Sequence, residues 1–140
     1  TARTIERFLE STLDSADEAE TLAVKAAEEI GFPEEELHKL GMAVRESTVN
    51  AVVHGNRYNS RKKVHLTVRK AADHTKVTIA DEGNGFDMSS VRDPLAEENL
   101  LHQSGRGLLL IRAFVDEVEM RRGTPAGTEL TLTKYLVRKS

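Results

Sequence analysis

Glu46 and Asn50 stand four residues apart in a stretch carrying Met42, Ala43, Val44, Val49, Ala51, Val52 and Val53. On a helix the two share one face. A carboxylate and a carboxamide in such apolar company need partners if they are buried. Two uses are open. The pair can cap neighbouring loops. Alternatively, the Asn50 carbonyl can ligate Mg²⁺, which takes oxygen donors and leaves most of its octahedron to phosphates and water. Glu46, one turn away, would then orient or deprotonate a nucleophile beside the metal. His54 continues the same face, either as a third member of a site or as a helix-end residue bonded to the next turn.

Two further segments carry chemistry. Asp81 follows the run Val77-Thr-Ile-Ala80 and precedes Gly83 and Gly85. The glycines let the backbone turn sharply and approach a ligand closely. The Asp81 carboxylate either bonds its own turn or accepts a hydrogen bond from an exocyclic amine such as that of adenine. An ionised carboxylate only accepts, so it would disfavour the carbonyl that guanine presents at the equivalent position. The third segment is Ser104-Gly105-Arg106-Gly107, ahead of the apolar run Leu108–Phe114. A helix start with free N–H groups attracts anions. Glycine there allows phosphate oxygens close, Arg106 can add charge or face solvent, and Ser104 can act simply as a cap. Thr128, after Gly127, can bring a hydroxyl near a base or be an ordinary strand residue.

The surrounding elements follow from periodicity. Ile5 to Leu13 alternates imperfectly, as an edge strand does. Ser15 or Asp17 is placed to cap a helix whose face is Ala19, Leu22, Ala23, Ala26, Ala27 and Ile30, ending at Gly31. Pro33 to Gly55 reads as one long helix. Val64–Arg69 and Lys76–Ala80 alternate with period two around the turn Ala72–Thr75, and form a hairpin. Residues 83–103 have little periodicity, and a loop of that length is functional or disordered. Gly105–Phe114 reads as a helix. Asp116–Arg121 and Thr128–Tyr135 form a second hairpin. The sum is an α/β two-layer sandwich: a mixed, mainly antiparallel sheet with helices on one face.

Composition narrows the function. The chain has 140 residues, the size of a single domain spanning 1–140. Its formal charge of −3 argues against a general grip on nucleic acid. Aromatics at 4% give few platforms for base stacking. There is no Cys, hence no disulfide framework and no thiolate metal site. His38, His54, His65, His74 and His102 lack zinc-site spacing. No apolar run approaches the ~20 residues that span a bilayer, and the first residues lack a signal-peptide core. No membrane association and a cytoplasmic location are expected. There is no GxxxxGK[ST] segment, and the glycines at 105 and 107 do not complete a dinucleotide fingerprint.

Taken in order, Glu-x-x-x-Asn on a helix, Asp-x-Gly-x-Gly after a strand, Gly-x-Gly opening a helix and Gly-Thr before a last strand resemble the Bergerat (GHKL) ATP-binding superfamily. Within it the chain resembles the bacterial anti-sigma-factor serine/threonine kinases. Val44-Arg-Glu-Ser-Thr-Val-Asn-Ala-Val-Val-His-Gly55 is similar to that family's helix. Asp93-Pro94-Leu95, Ser104-Gly-Arg-Gly-Leu108 and Phe114-Val-Asp-Glu-Val118 are similar to its lid and following strand. The resemblance runs over about residues 5–137. It implies ATP and Mg²⁺ as cofactors. It makes Asn50 the Mg²⁺ ligand, Glu46 the general base, and Asp81 the reader of the adenine amine beside Gly83 and Gly85. A lid would span about 86–104, with Ser104, Gly105, Arg106 and Gly107 at the phosphates and Thr128 in the adenine network. The implied partners are a sigma factor and an anti-sigma-factor antagonist protein, the phosphoacceptor, with the kinase a homodimer. A partner-sequestering ATP-binding module without kinase activity is the alternative. No segment resembles a phosphoacceptor-histidine or transducer domain, which argues against a complete histidine kinase or gyrase-type ATPase.

Overall fold

The computed structural model describes residues 3–83, 107–122 and 127–136. Strand β1 (Arg3–Leu9) leads into helix α1 (Asp14–Ile30) and helix α2 (Glu34–Asn50). A π-helical turn (Ala51–Gly55) extends α2. Strands β2 (Val64–Lys70) and β3 (His74–Ala80) follow as a hairpin. Helix α3 (Gly107–Phe114) and strands β4 (Glu117–Arg122) and β5 (Thr128–Tyr135) complete the described chain. The sheet order is β1-β2-β3-β5-β4. Every pairing among the described residues is antiparallel, so the expected two-layer α/β architecture stands, with no parallel pair in the described sheet.

Period-two alternation decides which face is covered. The register sets Leu66 opposite Ile79, Val68 opposite Val77, Val77 opposite Leu132 and Ile79 opposite Leu130. All are buried, together with Ala19, Ala23, Ala26 and Ala27 of α1, Leu40 and Val44 of α2 and Ile111 of α3. The opposite face carries threonines, with the Thr78 and Thr131 hydroxyls 3.1 Å apart. The four core alanines let α1 lie close to its neighbours. At Gly41 a Cβ would come within 2.9 Å of the Glu20 carboxylate and 3.2 Å of Val24, so α1 and α2 approach closely there and a larger residue would displace the Glu20 side chain.

Several boundaries differ from the sequence expectation. β1 stops at Leu9, because Ser11 turns inward to donate to the Lys62 carbonyl. Neither Ser15 nor Asp17 caps α1. Leu13 holds the N-cap position without a side-chain bond, the Ser15 hydroxyl reaches back to Glu10 O at 2.6 Å, and Asp17 pairs with Arg45. The far end behaves as expected: Gly31 adopts φ 104°, and the N–H groups of Gly31 and Phe32 return to Glu28 O and Ala27 O. β3 starts at His74 rather than Lys76, since Ala71 N already bonds His74 O across a tighter turn.

One buried cation ties the layers together. Lys134 is 6% exposed, on the helix-facing side of β5. Its ammonium donates to Phe114 O at 3.0 Å, at the end of α3, and lies 2.8 Å from Glu36 Oε2, near the start of α2. The bond from Lys134 holds the Glu36 carboxyl below its ordinary value of 4.5. A carboxyl with a depressed folded pKa adds stability above 4.5 that fades as pH falls through the lower, folded value. Lys134→Met should therefore lower the urea midpoint at pH 7. Its loss relative to wild type should shrink as pH drops below 4.5. Denaturation curves of both proteins between pH 3 and 7 provide the check.

Candidate functional site

The α2 helix delivers the first two candidates as the spacing predicts. Ser47 and Thr48, both buried on the core side, donate to Ala43 O (2.7 Å) and Val44 O (2.8 Å), which satisfies their hydroxyls within the helix. Glu46 and Asn50 lie half-buried beside them. Among the described residues Glu46 forms no hydrogen bond or ion pair. Asn50 Nδ2 is buried without a partner among the described residues. A buried amide donor left unmatched costs about 1–3 kcal/mol, and such orphans mark sites completed by something else.

Directly after Asn50 the helix widens. Asn56 N bonds Ala51 O at 2.8 Å, five residues back, and Tyr58 N bonds Val52 O at 2.9 Å. Such π segments recur at functional sites. Arg57 and Tyr58 then take φ values of 52° and 60° to reverse the chain. The long helix expected to Gly55 thus changes geometry after Asn50. His54 is exposed at its end.

The widened turn brings Gly55 against Asp81. A Cβ on Gly55 would lie 2.3 Å from the Asp81 carboxylate, and one on Gly83 would lie 2.0 Å from Gly55 O. Gly127, at φ 94°, would place a Cβ 2.0 Å from Asp81 O. Three glycines from three segments therefore pack together at Asp81, Gly55 against its carboxylate, Gly127 against its carbonyl and Gly83 against Gly55, and no side chain fits at any of them. Gly83 makes its close approach to the Gly55 carbonyl rather than to an open ligand space.

Asp81 shows the first of the two uses open to it in the sequence, bonding within its own turn. Its Oδ1 accepts from Gly83 N at 3.0 Å and Thr128 N at 3.1 Å, while its own N–H donates to Thr128 O at 3.0 Å. Thr128 thus meets the carboxylate through its main chain. Oδ2 lies against Gly55 and receives no hydrogen bond among the described residues. Burial raises the Asp81 pKa above 3.8, opposed by the two N–H bonds and by the charge of Lys62.

Gly107 opens α3, which packs against α2. Gly85, Ser104, Gly105, Arg106 and the lid at about 86–104 lie outside the described residues. A depression of about 560 Å³ lined by Glu34, Glu35, His38, Lys39 and Phe114 sits at the other end of α2 from Asn50, away from these groups. Among the described residues no three His, Cys, Asp or Glu side chains converge on a metal-sized site. The described residues thus offer a cation at Asn50 no cluster of such side chains; ligands from bound phosphate and water are the arrangement Mg²⁺ favours. The donor set fits an adenine nucleotide at Asp81 and a phosphate-bound Mg²⁺ at Asn50.

Sequence reasoning overlooked the structural parts played by Gly55, Asn56 and Gly127. Gly55 and Gly127 were visible as glycines flanking chemistry-bearing segments. Asn56 carried no signal beyond its place in a polar turn.

The sequence model for a family described as the histidine kinase-like ATPase domain matches residues 9–134. The anti-sigma F factors of Bacillus thuringiensis (strain Al Hakam) and Bacillus mycoides (strain KBAB4) are each 38% identical over 104 residues, which is 73% of this chain and 71% of theirs. The crystal structure of the RsbU and RsbW domains of a Mycobacterium tuberculosis protein superposes with a TM-score of 0.70 over 99% of this chain, at 21% identity. The present chain spans 34% of that one, and the likeness shows the fold. No helix among the described residues is long and apolar enough to cross a membrane. With the glycine-clasped Asp81 and the Glu46–Asn50 face in place, these matches settle the family: the chain belongs to the histidine kinase-like (Bergerat, GHKL) ATPases, in the branch of the anti-sigma-factor kinases.

Proposed function

We propose that this protein binds Mg-ATP, transfers its γ-phosphoryl group to a Ser or Thr of an anti-sigma-factor antagonist, and sequesters a sigma factor, acting as a cytoplasmic homodimer. The observation that carries the kinase reading is the Glu46–Asn50 face. Among the described residues Glu46 bonds to nothing, and one helical turn on the Asn50 amide has a buried Nδ2 without a partner, a donor suited to an acceptor such as a phosphate oxygen.

Asp81 Oδ2 would accept the adenine amine, with Oδ1 already fixed by Gly83 and Thr128. The Asn50 carbonyl would hold Mg²⁺, and Ser104, Gly105, Arg106 and Gly107 would surround the phosphates. ATP with Mg²⁺ supplies an activated phosphoryl group whose charge the metal partly neutralises. Glu46 would take the proton from the acceptor hydroxyl, and the fold would supply orientation, which dominates such transfers. The sigma-factor partner is supported by the 38% identity to anti-sigma F factors, and the antagonist is the phosphoacceptor that the kinase reading requires.

The test is incubation of the purified protein with γ-labelled ATP, Mg²⁺ and candidate antagonists encoded beside its gene. Label on a Ser or Thr of one of them supports the kinase. Tight partner binding without any transferred label would instead leave an ATP-binding sequestering module.

A further inference from the structure

Asn56 is 2% exposed and uses its whole carboxamide. Nδ2 donates to Ser11 Oγ at 3.0 Å and to Lys63 O at 2.9 Å. Oδ1 accepts from Glu82 N at 2.7 Å. One side chain thereby joins the end of the π turn, the β1–α1 turn, the entry to β2 and the exit of β3. The Glu82 N–H belongs to the peptide immediately after Asp81. Gly55, the residue before Asn56, contacts the Asp81 carboxylate itself. The adjacent residues Gly55 and Asn56 thus receive the adjacent residues Asp81 and Glu82: one seats the carboxylate and the other clamps the peptide that follows it.

We propose that Asn56 is a positioning residue that fixes the aim of Asp81 and so sets selectivity for a 6-amino purine. The inference rests on the ATP reading of the site. Asp81 is held on one side by Thr128 and Gly83. Those bonds fix Oδ1, yet Gly83 N can follow the carboxylate if the loop after β3 shifts. The bond from Glu82 N to Asn56 anchors the main chain of that loop to the end of the π turn, outside the Asp81 turn, while Lys63 N bonds the Glu82 side chain at 2.8 Å. Without the main-chain anchor the loop is held at Glu82 only through its side chain, and Oδ2 gains room to shift. A swinging acceptor gains less from an amine and repels a purine carbonyl less, so affinity for the two bases converges. A merely structural role has a different signature, since a reduced folded fraction weakens every nucleotide by the same factor.

The experiment compares Mg-ATP with Mg-ITP, which carries a carbonyl in place of the 6-amino group. Dissociation constants are measured for wild type, Asn56→Leu, Asn56→Ser and Ser11→Ala, well below each unfolding midpoint. Leu keeps the volume without hydrogen bonds. Ser keeps a hydroxyl too short to span Lys63 and Glu82, and stands in if the Leu variant does not fold. Ser11→Ala removes one partner of Asn56 but leaves its bond to Glu82. The expected result is that the ITP:ATP ratio of dissociation constants falls about tenfold in a folded Asn56 variant, the loss of roughly one charged hydrogen bond. Ser11→Ala should lower the midpoint and keep the ratio. A folded Asn56 variant with an unchanged ratio would overturn the inference while leaving the ATP site standing. A wild type that binds neither nucleotide, or both equally, would overturn the ATP reading and this inference with it.

Discussion

Glu46→Ala is expected to cut phosphoryl transfer about 10²–10⁴-fold, the usual contribution of a positioned general base, while leaving Mg-ATP affinity within about twofold. The asymmetry follows from where Glu46 sits. It lies in the last turns of α2, half-buried, and bonds to none of the described residues. Its removal therefore orphans no partner among the described residues. Alanine is also the best helix former, so α2 should keep its shape and carry Asn50 as before. The nucleotide contacts proposed here belong to Asn50, Asp81 and the segment around Gly107, and Glu46 shares none of them. Single-turnover transfer to the antagonist, set beside equilibrium ATP binding, separates the two effects. Glu46→Gln, which keeps the shape and loses the basicity, should be nearly as slow. Undiminished transfer by either variant would remove Glu46 from the chemistry.

Asp81→Asn should weaken Mg-ATP binding at least about 100-fold and leave the unliganded protein as stable as wild type or more so. The binding loss has two parts. A hydrogen bond to a charged acceptor contributes about 1.5–3 kcal/mol, and an amide N–H placed at Oδ2 would face the adenine amine donor to donor. The stability gain comes from burial. The Asp81 pKa is raised above 3.8, chiefly by desolvation. An acid with a raised folded pKa favours the fold below its unfolded value and loses that contribution as pH climbs through the folded one. At pH 7 the ionised carboxylate is thus a standing cost of the empty site. Asparagine removes the charge and retains an oxygen for Gly83 N and Thr128 N. Thermal unfolding of both proteins at pH 7, with and without Mg-ATP, provides the measurement. A less stable apo variant with intact ATP binding would contradict both halves.

Much of this was legible in the sequence because the relevant signals are local. The alanine stripe of α1, the alternation of β2, β3 and β5, and the Gly31 stop are all read within a few residues. The four-residue interval from Glu46 to Asn50 needs only helical geometry. What escaped depends on distant partners. Asn56 meets groups 45, 7 and 26 residues away along the chain, so its turn-like neighbourhood hid a buried, fully bonded side chain. The π turn leaves no compositional trace, because its bonding differs from an α-helix by one residue. Nothing in Thr128–Tyr135 marks Lys134 as buried; its place follows from Glu36 and the end of α3 converging there. Asp81 stood between a turn residue and a base reader in the sequence; Oδ1 holds the turn, and Oδ2 receives no hydrogen bond among the described residues.

The central claim is that this split site holds an adenine nucleotide with its metal. Isothermal titration of the wild-type protein with Mg-ATP and with Mg-GTP tests it most directly. The account predicts one saturable Mg-ATP site per chain and Mg-GTP binding at least about tenfold weaker, since the guanine carbonyl would confront Asp81 Oδ2. Equal affinity for the two nucleotides, or no heat of binding with either, would contradict it.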